Sequence, residues 1–207
     1  INVTDSATIT PIESAAAFGD QVLGSSDEVV VEDVQANTTS TVVLTYENDG
    51  NRTVAGVYED YASDSPQNLT ITVGDTGGFP GEHTVHVIPN DGMSGTYTAG
   101  ENVSAATAAN ATTNVSATVY DAELSLANQF AQVSTETVTV ETANLFDGMG
   151  NTTEFAVELS ANGSVIGTSD TLTANNSGVE VTVDEIDATT EVNATLVAGG
   201  EPIPQAD

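Results

Sequence analysis

Cysteine, tryptophan and lysine are all absent from this chain, and Arg52 is the one residue of the Lys/Arg class. Without Cys there is no disulfide, no thiol nucleophile and no Cys-based zinc site. Without Lys, a phosphate-binding loop of the Gly-X4-Gly-Lys type cannot be completed. A surface that neutralises nucleic-acid phosphates needs many cations, so nucleic acid is excluded as a partner. Aromatic residues make up 5% of the chain, poor material for a carbohydrate-binding platform, which stacks sugars on rings, so a lectin-like role is disfavoured. No run approaches the roughly 20 apolar residues of a membrane helix, so no membrane-spanning segment is expected. No charged n-region with an apolar h-region opens the sequence, and Ile1 is expected to begin a processed form. No Gly-X-Ser-X-Gly elbow marks a serine nucleophile.

What is present is acid. Asp and Glu number 31, for a formal net charge of -30. A small domain is soluble at a net charge of magnitude about 2–8. In dilute buffer the excess opposes compaction. In molar salt the Debye length is about 3 Å and most of that repulsion is screened. The charge therefore reads as adaptation to a very salty medium, with a cation-binding or basic-partner surface as the sharper alternative. A hydrophobic fraction of 39% separates the chain from disordered acidic segments.

The second abundance is the Asn-X-Ser/Thr sequon. Eleven of the 16 asparagines lie in one: Asn2, Asn37, Asn51, Asn68, Asn102, Asn110, Asn114, Asn151, Asn162, Asn175 and Asn193. With 47 Ser and Thr among 207 residues, chance placement yields about four. Each sequon is a chemical acceptor for an N-glycan and must be exposed to be modified. Eleven along the chain imply an extracellular, cell-surface protein with covalent N-glycans over much of its surface.

The patterning is that of strands. Residues 29–34, 41–46, 53–58, 68–73 and 83–88 are rich in Val, Ile, Thr and Tyr, as are 115–120, 136–142, 154–159, 164–168, 179–183 and 191–197. Val138 and Val140 alternate with Thr137 and Thr139, and Val179, Val181 and Val183 with Glu180 and Thr182, which predicts antiparallel sheets with one face on a core. Asn48-Asp49-Gly50-Asn51 and Ala161-Asn162-Gly163-Ser164 read as hairpin turns. Residues 12–23 are expected to hold a short helix or an irregular loop, and 103–113 are ambiguous. The core is expected at Val29, Val31, Val42, Leu44, Leu69, Ile71, Val73, Val85 and Val87, and at Val138, Val140, Phe155, Val157, Val181, Val183 and Leu196.

The order of elements over 29–88 recurs over 138–197: strand, Asn-Thr-Thr, strand, turn, a strand with Val-Ala-Gly-Val or Val-Ile-Gly-Thr, a loop, and two further strands. The expected architecture is all-β: two tandem immunoglobulin-like β-sandwich domains behind an extra N-terminal extended segment. Residues 1–26 form that segment and a connector, 27–121 the first sandwich and 122–207 the second, with the joint near Tyr120–Glu123. Residues 1–10 could pair within the first sandwich or, with Ile1, Val3 and Ile9 filling pockets, act as a donor strand on a neighbouring subunit.

No catalytic constellation appears, so an enzyme is not expected. His83 and His86, three apart on a strand, fall on opposite faces and would not converge on a metal. No cofactor is required; a bound Ca2+ or other cation is an accessory expectation. Its candidate ligands are Asp184, Glu185 and Asp187, read as a loop between strands; Asp147–Asn151 and the Glu59, Asp60 and Asp64 cluster are weaker oxygen-rich alternatives.

In its acidic Thr/Val/Ala-rich composition, sequon density and repeated short β-domains, the chain resembles the secreted surface glycoproteins of haloarchaea. The stretch Gly81–Asp121 loosely resembles the end of a β-domain common in such proteins. The resemblance implies a structural protein of an S-layer, pilus or other filament, partnered with other copies of itself. The chain lacks the Thr-rich stalk and membrane helix of S-layer glycoproteins and the apolar helix of archaellins and type IV pilins, so self-assembly is expected to hold it at the surface. The alternatives are an adhesin-like binding module of a larger surface protein, which would partner other cells or surfaces, and a surface protein of a haloarchaeal virus.

Overall fold

The computed structural model describes the chain except residues 1–10, 12, 24–26, 49, 75–79, 91–95, 105–107, 109, 130–134, 147–152, 174–175, 187 and 205–207, and the side chains of Asn48, Thr135 and Glu185. The fold is all-β. Two compact units divide it: residues 1–18, 30–77 and 84–116 form one, and 19–29, 78–83 and 117–207 the other.

The first unit is built on a long ribbon of β3 (Glu28–Asn48) and β4 (Asn51–Thr72). Gly50, at φ 77°, turns the chain between them. Asp33 and Asp60 take positive φ within these strands, a conformation short polar side chains tolerate. The ribbon folds over itself, and Gly74 N donates to Ala55 O at 3.0 Å. β1 (Ser14–Ala17) pairs antiparallel with the first half of β3, Ser14 opposite Ala36. β5 (Gly81–Pro89) lies between β3 and β6 (Thr113–Ser125).

The second unit is built from shorter strands. β7 (Thr135–Phe146) pairs with β6 on one side, Ala122 opposite Leu145, and with β10 (Asn176–Ile186) on the other, Val140 opposite Val179. A four-stranded sheet runs β12-β11-β8-β9, from β8 (Ala156–Ala161), β9 (Ser164–Thr168), β11 (Asn193–Ala198) and β12 (Glu201–Pro202).

All sixteen core positions anticipated above are buried. In the second unit Val138, Val140, Leu145, Val181 and Val183 from one sheet meet Phe155, Val157, Leu159 and Leu196 from the other, the arrangement of a β-sandwich. Each such side chain contributes about 1.5–3 kcal/mol when removed from water. In the first unit the pattern differs from simple alternation: Thr41–Tyr46 of β3 and Val85–Ile88 of β5 are buried on both faces. One face carries Val43 and Ile88 into a cluster with Val54, Val103 and Ala108.

Three local expectations are corrected. Residues 12–23 hold strands rather than a helix: β1 joins β3, and β2 (Gln21–Val22) pairs parallel with Val119 and Tyr120. Ladder bonds to a preformed sheet outweigh the modest helix preference of a three-alanine run. Asn37-Thr38-Thr39 is not a break, since β3 runs through it. β10 extends to Ile186, so Asp184 and Glu185 belong to a strand, not a loop. In the ambiguous stretch 103–113, Ala108 N donates to Ser104 O at 3.1 Å.

The edges of each unit are bridged. In the first, Thr113 Oγ1 donates to Ser14 O at 2.9 Å, and the Ala55–Gly74 bond joins the other seam. In the second, Val22 N donates to Pro204 O at 2.9 Å and Leu23 N to Tyr120 O at 3.0 Å. Such bridging protects exposed strand edges from indiscriminate pairing.

Candidate glycan-acceptor surface

Eight of the eleven sequon asparagines fall among the described residues, and all eight are exposed: Asn37, Asn51, Asn68, Asn102, Asn110, Asn114, Asn162 and Asn193. Asn2, Asn151 and Asn175 lie outside the described residues. Strand geometry accounts for much of this. Side chains two apart share a face, so on β3, β4 and β6 the acceptor and its hydroxyl partner point outward together: Asn37 with Thr39, Asn68 with Thr70, Asn114 with Ser116. Asn162 sits at φ 51° beside Gly163 at φ 77°, the two central residues of the β8–β9 hairpin turn.

Asparagines outside sequons behave differently. Of Asn90, Asn128, Asn144 and Asn176, Asn128 is exposed, Asn144 is buried and the other two are partly buried. Three of these four commit the amide nitrogen to a hydrogen bond. Asn144 Nδ2 donates to Glu123 Oε2 at 3.2 Å, Asn90 Nδ2 to Asp60 Oδ1 at 3.3 Å, and Asn176 Nδ2 to Ala143 O at 3.4 Å. Sequon asparagines engage mainly through oxygen. Asn68 Oδ1 accepts from Asp33 N at 3.3 Å, Asn102 Oδ1 from Thr53 Oγ1 at 3.2 Å, and Asn114 Oδ1 from the His86 ring. Asn37 uses both atoms: Oδ1 accepts from Glu13 N at 3.0 Å and Nδ2 donates to Pro11 O at 2.8 Å. Since N-glycosylation takes place at Nδ2, the sequon set keeps the reactive atom largely out of structural duty.

The charge is carried outside the core. No described Asp or Glu is buried, as the cost of desolvating an unpaired carboxylate requires. Among the described residues one ion pair forms, Arg52 Nε to Glu47 Oε1 at 3.2 Å.

Both histidines are buried rather than solvent-facing. His83 Nδ1 bonds to Gly81 O at 2.9 Å. His86 Nδ1 meets Asn114 Oδ1 and its Nε2 meets Thr45 Oγ1 at 2.9 Å. With Nδ1–H donating to the amide oxygen, Nε2 accepts from the threonine hydroxyl and the neutral ring is satisfied. Burial lowers the His86 pKa below its ordinary 6.5, nearby Arg52 adds to the effect, and the Asn114 bond opposes it.

Of the candidate cation ligands, Asp184 is exposed on β10, while Asp187 and the Glu185 side chain lie outside the described residues. Among the described residues no group of three His, Cys, Asp or Glu is placed to hold a metal. Ile1, Val3 and Ile9 and the loop 147–151 also lie outside the description. No helix among the described residues is long and apolar enough to cross a membrane.

No protein-family model matches this chain, and no curated protein sequence matches it either.

Proposed function

We propose that this chain is an N-glycosylated, non-catalytic structural subunit of an extracellular assembly, a filament or surface layer, working in molar salt. The observation that carries the reading is the exposure of its sequon asparagines: all eight described ones are exposed, whereas of the four described outside sequons Asn144 is buried, Asn90 and Asn176 are partly buried and Asn128 is exposed. Acids confined to the surface, with almost no cations to pair them, support the high-salt setting.

The finer fold reading is two immunoglobulin-like sandwiches. In the second unit it rests on a three-strand order β6-β7-β10 facing the four-strand order β12-β11-β8-β9, and in the first on the order of elements that the sequence repeats. Subunits are read as joining through strand contacts, with residues 1–10 as the candidate donor. The bridged seams would confine an incoming strand to the ladder positions between bridges.

Two measurements on native material purified in high salt test this. Site-resolved mass spectrometry should find glycans on several of the eight exposed asparagines, and electron microscopy should show regular filaments or sheets. Bare asparagines at every site would sink the glycoprotein reading. Dispersed glycosylated particles would sink the structural one in favour of a binding module.

A further inference from the structure

Tyr58 is one of two large hydrophobic side chains among the described residues that remain exposed, at 40%. It does not stand alone. Its ring meets that of Tyr61 edge-on, with centroids 6.2 Å apart and planes at 78°. Tyr61 is itself buried, and its hydroxyl donates to Val34 O. Tyr58 is thus held against a buried ring while part of it stays in water. The groove beside it is lined by polar groups, among them Asp60, Ser63, Gln67 and Asn68. Asn68 is a sequon asparagine, and the Asp33 amide occupies its oxygen and not its nitrogen.

We propose that the sugar attached to Asn68 folds back into this groove and packs on the face of Tyr58, so that the glycan at this site is an integral part of the first unit's surface. The chemistry fits a saccharide. A pyranose offers a C–H face that lies against an aromatic ring, and its hydroxyls would meet a polar lining that includes Asp60, Ser63 and Gln67. The occupant is the chain's own glycan rather than a free saccharide because Asn68 forms part of the groove wall. A covalent tether replaces a bimolecular encounter with a high effective concentration, so one aromatic face suffices where a lectin site needs several.

This inference rests on the glycoprotein reading, and its test separates the two. Thr70→Val removes the hydroxyl that the sequon requires, while leaving Asn68, its bond to Asp33 and the strand shape in place. Native protein, Thr70→Val, Tyr58→Ala and the double variant are prepared in a host that glycosylates them, and occupancy and thermal midpoints are measured in molar salt. The expected result is that Thr70→Val lowers the midpoint by about 2–4 °C, the shift that about 1 kcal/mol produces in a chain of this size. In the Tyr58→Ala background the same change should shift it by less than about 1 °C, because contacting groups are non-additive. Equal shifts in both backgrounds, with Asn68 occupied, overturn the inference and leave the glycoprotein reading standing. An empty Asn68 beside occupied sites elsewhere also overturns it. Glycans at no site overturn both. Protection by added free oligosaccharide of the unglycosylated variant would move the site to the lectin class and overturn the tethered form.

Discussion

Gly56 and Gly167 each pass close over the backbone carbonyl of a threonine: Gly56 over that of Thr72 at the far end of its own strand β4, Gly167 over that of Thr182 on the following strand β10. A Cβ on Gly56 would lie 2.6 Å from Thr72 O and 2.6 Å from Ile71 Cγ2. On Gly167 it would lie 2.2 Å from Thr182 O and 2.9 Å from Val183 Cγ1. Neither glycine has a positive φ; what each supplies is the absence of a side chain where two stretches of backbone approach. Gly56→Ala and Gly167→Ala are each expected to destabilise by about 1–3 kcal/mol or more, since the obstacle is a main-chain atom that cannot rotate away. Denaturant midpoints in molar salt check this, and an unchanged midpoint for either variant would remove that close approach.

His86 makes stability depend on pH. Unfolded, its imidazole takes a proton near 6.5; folded, burial holds the pKa lower. Between those two values the unfolded chain binds more protons, so stability falls as pH falls through that interval and is complete above 6.5. His86→Gln is expected to flatten this part of the curve. Denaturation midpoints measured from pH 7.5 down to 5 on both proteins decide it, and parallel curves would contradict the assignment to His86.

The net charge of -30 makes the fold salt-dependent. On dialysis below about 0.5 M salt, where screening weakens, β-sheet circular dichroism is expected to be lost. Retention of the full signal in dilute buffer would show that packing alone outweighs the repulsion.

Asn37 should differ from the other exposed acceptors. Its side chain bonds Glu13 N and Pro11 O, tying the segment before β1 to β3. Asn37→Ala is expected to cost about 1–2 kcal/mol, about 0.5–1.5 for each bond less what water restores. Asn110→Ala, at an exposed turn, should stay within about 0.5 kcal/mol. Equal effects at the two sites, read from denaturation of the unglycosylated proteins, would refute the tie.

Much of the fold was legible in the sequence because it depends on a period of two. Val138, Val140, Val181 and Val183 are buried and their Thr and Glu neighbours exposed, as alternation on an antiparallel sheet requires. The Asn162-Gly163 turn was readable because few residues tolerate its dihedrals, and β9 runs over Ser164–Thr168 as anticipated. The acceptor asparagines were legible as a list, since a sequon is three adjacent residues.

Other features needed the tertiary structure. Thr41, Thr45 and both histidines are buried because β3 and β5 are covered on both faces, which no local pattern encodes. The run Ser14–Ala17 became a strand because Gln35 and Ala36 lay ready to pair with it. Gly56 and Gly167 are ordinary strand glycines until the chain brings Thr72 and Thr182 against them. The sequence by itself determined the strand type, the surface charge and the possible glycan sites, because each depends on near neighbours in the chain. Which asparagines are exposed, and that Tyr58 and Asn68 line one groove, were decided by the tertiary fold, where burial and hydrogen bonding are set by the packed whole.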